Sequence, residues 1–254
     1  MMVSVARPLP TVAFECLGLV GFAAILVPWA AAIAAPVADA PLLAIAGVLL
    51  ASLLADFGSG LVHWACDTWG SEAWPLVGRS LIGPFREHHL DPKAITRHDF
   101  LETNGANAFA VLPFFATAWV CTRFDGPLAL FVAVLLGWAS LLTLATNQIH
   151  KWAHQEALPW WVRRLQSCGL VLSPEIHAHH HRAPFDRYYC ITHGWLNPLL
   201  TRIRFFRGLE HAVTWLTGAA PRGEDLRNLA RGRQTSGAWD SAAPSSGSRP
   251  IAEP

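Results

Sequence analysis

Histidine spacing is where this chain shows its chemistry. His63 and Asp67 stand four apart, as do His150 and His154, while His177, His180 and His181 stand at i, i+3 and i+4. On a helix these offsets put side chains on one face within a turn of each other, so each group can hand two or three ligands to one point. His88 and His89 are adjacent, which splays them on a helix; one needs a bend, or the two serve different metals. With His98, five groups hold nine of the twelve histidines.

Neutral imidazoles packed together are unfavourable unless a cation or hydrogen bonds hold them. Many nitrogen ligands, one candidate carboxylate and no thiolate suit Fe(II) better than Zn or Cu. One ion cannot use eight or more histidines, whereas two ions with four or five ligands each absorb most of them. A redox-active dimetal centre at a membrane points to O2 activation on a lipid. A single zinc would point to hydrolysis and leave many histidines without a role.

Plainer readings stand beside these. A lone His98 serves equally well as a helix cap or hydrogen-bond partner. Asp67 could pair with an arginine, but its offset from His63 favours a ligand or the partner of a ligand. Asp56, inside an apolar stretch, is a functional suspect unless it turns into water near a helix end. His179, His193 and His211 fall outside the pattern and read as bystanders. The tryptophans mark bilayer interfaces, with substrate lining by Trp64 or Trp69 as the minority role.

The elements that must position these groups are apolar. The chain is 52% hydrophobic and 15% charged, where average chains carry ~25% charged residues. That composition predicts an all-α integral membrane protein with about four transmembrane helices and a cytoplasmic, helical, His-rich cap. Expected spans run over 14–35, 41–64, a marginal 106–121, and 127–149. The stretch 159–172, opened by Trp160 and Trp161, reads as a helix in the membrane interface. The first span is too long for a cleaved signal peptide and is expected to be retained.

Arg79, Arg86, Lys93 and Arg97 lie between the second and third spans, and further arginines lie near the C-terminus. The positive-inside rule places these segments, both termini and the active site on the cytoplasmic side. Residues 1–218 form the membrane-embedded domain, and the Pro-, Gly-, Ser- and Arg-rich 219–254 is expected to be a disordered tail. A net charge of +1 gives no argument for a nucleic-acid partner, and five scattered cysteines suggest neither disulfides nor a thiolate zinc site. Abundant Ala and Arg suggest a bacterial cytoplasmic membrane.

Several strings resemble the plasmanylethanolamine desaturase (Kua/CarF) family. They are Gly60-Leu-Val-His63-Trp-Ala-Cys-Asp67-Thr-Trp-Gly70, Phe85-Arg-Glu-His88-His89 through His98-Asp-Phe, and Glu102-Thr-Asn-Gly105. Asn147-Gln-Ile-His150-Lys-Trp-Ala-His154 and His177-Ala-His-His180-His181-Arg-Ala-Pro184 follow, and then Tyr189-Cys-Ile-Thr and Gly194-Trp-Leu-Asn197. The resemblance covers roughly 50–205.

It implies an O2-dependent diiron oxidoreductase that converts the 1-O-alkyl ether of a plasmanyl phospholipid to a vinyl ether, making a plasmalogen. The family's eight-histidine pattern maps onto His63, His88, His89, His150, His154, His177, His180 and His181, and Asp67 stands at a position the family also uses. A plant branch, sharing the motif at 177–184, implies instead an acyl-chain desaturase of phosphatidylglycerol. The segment 85–105 and the Gly-Trp-Leu-Asn string favour the ether-lipid branch.

No flavin, NAD or haem motif occurs in the sequence, so electrons must come from a partner such as a cytochrome b5-like protein or a ferredoxin with its reductase. A lipid hydroxylase could use the same centre. A bis-histidine haem carrier would need paired histidines inside facing spans, and a structural lipid-binding protein would leave the histidines incidental.

Overall fold

The computed structural model describes residues 7–75 and 78–222; the Arg79 side chain and residues 223–254, most of the expected tail, lie outside the described residues. Regular structure among the described residues is all helical. In chain order come α1 (Leu9–Asp39), α2 (Pro41–Thr68), a π-helical turn (Gly78–Ile82), α3 (Gly83–Leu90) and a 3-10 turn (Ala94–Arg97). Then follow α4 (Phe100–Cys121), α5 (Pro127–His154), α6 (Trp160–Ser167), α7 (Pro174–His177), α8 (Asn197–Arg202) and α9 (Phe205–Thr217).

Prolines open α1, α2 and α5, where a missing N–H leaves no intrahelical bond unmade. At the start of α4 the Asp99 carboxylate accepts the Glu102 amide at 2.8 Å. α6 is shorter than the stretch expected to be helical, because the chain turns at Gly169, whose φ of +68° ends it.

Helices α1, α2 and α5 are long and apolar enough to cross a membrane, which makes this an integral membrane protein. α4 is not apolar enough to join them, so composition supports three of the four expected spans. Asn104 and Asn107 lower its hydropathy, and both side chains are used inside the bundle. Asn104 Nδ2 donates to Gln148 Oε1 at 3.4 Å, and Asn107 Nδ2 to Thr143 O at 3.0 Å.

These two bonds run α4 antiparallel to α5. α4 is parallel to α1: Phe14 meets Phe109, with ring centres 4.2 Å apart, and Phe22 meets Phe115 at 4.5 Å. α2 is parallel to α5, through Trp138 Nε1 on Ser52 Oγ at 3.3 Å and the His63–His150 ring pair at 5.8 Å. The starts of α1 and α4 and the ends of α2 and α5 therefore meet at one end of the bundle. The histidines gather there.

Apolar packing holds the four helices in register. Phe22, Trp29, Ala108, Val111, Phe115 and Ala118 form one buried cluster between α1 and α4. A second cluster seats α9 against the last turns of α2, with Phe206 6.0 Å from Trp64 and Phe205 5.5 Å from Phe57.

Candidate metal centre

Two ligand groups form at the shared end. His88, His150, His154, His177 and His181 each offer a nitrogen, and these nitrogens lie within 4.8 Å of one another; His63, Asp67, His89 and His180 do the same with three nitrogens and a carboxylate oxygen. Helices α2 and α5 supply the pairs at i, i+4. α3 supplies His88 and His89, and α7 with the turn after it supplies the remaining three. The adjacent His88 and His89 thus go to different groups. Nine of the ten residues expected to ligate metal are brought together.

His98 joins neither group. Its ring sits 3.8 Å from Glu102, about a third exposed, and its carbonyl accepts the Lys151 ammonium. His179 stacks on Tyr188, away from both groups.

In the four-residue group, donor roles are fixed by backbone carbonyls. His180 Nδ1 donates to Arg187 O at 2.8 Å, and His63 Nδ1 to Tyr189 O at 3.1 Å. A neutral imidazole has a single N–H, so each bare ε-nitrogen faces inward. There they lie 3.4 Å from Asp67 Oδ2, which is itself 2.9 Å from His89 Nε2. His63 and His180 are fully buried and Asp67 nearly so. Two lone pairs and a carboxylate turned on one dry point repel unless a cation sits among them. The residues fit a metal.

In the five-histidine group, the ε-nitrogens of His88 and His177 lie 3.4 Å apart, and those of His150 and His181 each lie 2.8 to 3.0 Å from both. Donors about 2.1 Å from one ion are roughly 3.0 Å apart at octahedral corners and roughly 3.4 Å at tetrahedral ones. The observed spread matches both. Burial, reinforced by neighbouring imidazoles, holds His88, His177 and His181 well below the usual histidine range. Burial also lowers His180, although Asp67 pulls the other way. Rings kept neutral in this way are in the state that binds metal.

Around the groups lies a supporting layer that the spacing argument missed. Arg86, from α3, reaches the end of α2 and donates to the carbonyls of Cys66 at 3.2 Å, Trp69 at 2.8 Å and Gly70 at 3.0 Å. It satisfies a helix C-terminus beside Asp67.

Asp56 is fully buried and does not face water. Its Oδ1 accepts the amides of His193 and Gly194, each at 2.8 Å, and Oδ2 accepts that of Leu196 at 3.1 Å. Asn197 pairs with both backbone groups of Cys190, at 2.9 and 2.8 Å. In the sequence, Asn197 and the residues around Tyr189 are marked only by the Gly194-Trp-Leu-Asn197 and Tyr189-Cys-Ile-Thr strings.

Residues 52–224 match the lipid desaturase domain, a stretch that contains both ligand groups. The chain is 50% identical over 184 residues to a plasmanylethanolamine desaturase of Myxococcus xanthus, covering 72% of this chain and 65% of that one. It is 47% identical over 195 residues to plasmanylethanolamine desaturase 1 of Mus musculus, covering 73% and 70%. To the chloroplastic fatty acid desaturase 4 of Arabidopsis thaliana it is 38% identical over 172 residues, covering 67% of this chain and 51% of the relative. No solved structure matches. With its domain match reaching from the middle of α2 past α9, the chain belongs to the lipid desaturase family.

Proposed function

We propose that the protein is an O2-dependent plasmanylethanolamine desaturase that converts the alkyl ether chain of a plasmanyl phospholipid to a vinyl ether. The observation that carries this reading is the pair of inward-facing ligand groups at the end of a membrane bundle, in a chain about half identical to proteins so named. The balance is an –O–CH2–CH2– unit plus O2, two electrons and two protons giving –O–CH=CH– and two waters.

Two irons are the metals this donor set suits best, and bound there they would supply the O2 chemistry. His88, His150, His154, His177 and His181 would hold one. His63, Asp67, His89 and His180 would hold the other. The remainder of the chain's work is placement: α2 and α5 fix the ligand pairs, and the apolar bundle keeps water from the alkyl chain. α4 is the fourth span, since it runs beside α1 from the level of Phe14 to that of Phe22 and beyond.

Arg86, Lys93 and Arg97 support a cytoplasmic side for the ligand end, and abundant Ala and Arg support a bacterial inner membrane. Electrons come from a separate protein of the cytochrome b5 or ferredoxin type.

An acyl-chain desaturase is the second reading, favoured by the 38% identity to the Arabidopsis relative. Comparing lipid extracts from cells with and without the gene, before and after mild acid, separates the two. The proposed function predicts a new acid-labile lipid two hydrogens lighter than its alkyl precursor. An acid-stable product with the double bond in an acyl chain would select the second reading, and no change in lipids would overturn both.

A further inference from the structure

The segment 187–196 is an irregular strap laid across the last four turns of α2. Its closeness to the helix requires Gly60, where a Cβ would fall 2.6 Å from Cys190 Sγ. Both hydrogen bonds that orient histidines of the four-residue group end on this strap, at Arg187 O and Tyr189 O. Its backbone is otherwise tied down mainly by side chains, with Thr192 O accepting the Leu172 amide at 3.0 Å. Cys190 is held by Asn197, the Ile191 amide by Ser59 Oγ at 3.0 Å, and three further amides by Asp56. Gly194, at φ +77°, permits the bend that turns three amides toward one carboxylate.

Three members of the five-histidine group have no such support: the Nδ1 atoms of His88, His177 and His181 meet no partner among the described residues.

We infer that Asp56, inside a membrane-crossing helix, is a positioning residue for the carboxylate-bearing metal group alone. By clamping the strap at 193–196 it fixes the carbonyls that set the donor roles of His63 and His180, and so aims both bare ε-nitrogens at one ion. The inference rests on the dimetal reading of the two groups. It assigns Asp56 no contact with metal or substrate, and no effect on the five-histidine group.

The test uses full-length protein loaded with 57Fe, measuring iron per chain, the Mössbauer spectrum, helix content by circular dichroism and steady-state kinetics. In Asp56→Asn an amide NH2 replaces one acceptor oxygen and faces a backbone N–H, so part of the clamp is lost. Asn197→Asp loosens the strap from its other end by removing the donor to Cys190 O.

In both variants one of two spectral components should shift or vanish and iron should fall from two per chain toward one. Helix content should hold, and kcat should drop about tenfold or more with KM little changed. Two unchanged components, parallel loss of both, or loss of helix in both variants would overturn the positioning role. Wild-type protein that binds fewer than two irons would instead sink the dimetal reading, independently of Asp56.

Discussion

His88 and His89 are consecutive, yet His88 Nε2 lies 2.8 Å from His181 Nε2 in one ligand group while His89 Nε2 lies 2.9 Å from Asp67 Oδ2 in the other. Successive residues of a helix point ~100° apart. The end of α3 therefore acts as a single wedge between two ligand groups, and a shift of this short helix moves both.

Separate replacements should expose that division. His88→Ala is expected to empty the five-histidine group and His89→Ala the other, each leaving about one iron per chain and no desaturase activity. Elemental analysis with a site-resolving spectrum distinguishes them. Identical residual spectra in the two variants would contradict the assignment.

The Arg86 guanidinium caps α2 through three carbonyls at 2.8 to 3.2 Å. Arg86→Ala leaves buried acceptors unsatisfied and should lower stability by about 2–4 kcal/mol. Arg86→Lys should restore little, because a single ammonium lacks the planar fork that reaches all three. Thermal melting in detergent measures both. A lysine variant as stable as the parent would show that charge alone matters there.

His98→Ala should keep near-normal iron content and activity, since the ring stands apart from both groups and only the carbonyl, which any residue provides, receives Lys151. His181→Ala, by contrast, should abolish vinyl-ether formation at unchanged protein level. Iron analysis and acid-labile lipid assays on the two variants side by side check this, and inactive His98→Ala protein with a lowered iron content would return the residue to the ligand set.

Offsets of four in α2 and α5 made His63 with Asp67 and His150 with His154 legible, because helical periodicity alone brings such pairs together. The apolar runs made three spans legible in the same way. His98 stayed open between ligand and hydrogen-bond partner because a histidine near others in sequence carries no mark of which way its ring points. Asp56 stood out as a carboxylate in an apolar stretch, but its role, like those of Arg86 and Asn197, was hidden because the work is done on backbone groups up to 140 residues away, as in Leu196 N on Asp56 Oδ2. Backbone partners leave no spacing pattern. α4 was legible only as a marginal span from residue 106, because Asn104 and Asn107, whose side chains are spent on Gln148 and Thr143 of α5, lower the hydropathy of its first turns.

Acid should weaken the fold with a definite sign. His88, His177 and His181 are held well below the usual histidine range by burial first and by neighbouring rings second, and burial also lowers His180. In the unfolded chain these rings take protons near pH ~6.5. Below that value the unfolded state binds protons that the folded state refuses, so stability of the metal-free protein falls as pH drops and is level above it. Each histidine contributes up to ~1.4 kcal/mol per pH unit within its window. Protons also compete with metal for the same nitrogens, so iron loading should be lost in the same direction. Melting midpoints of metal-free and iron-loaded protein, recorded between about pH 5 and 8, give both curves. A metal-free midpoint that stays level or rises on acidification would show that the clustered rings are not kept neutral by the fold.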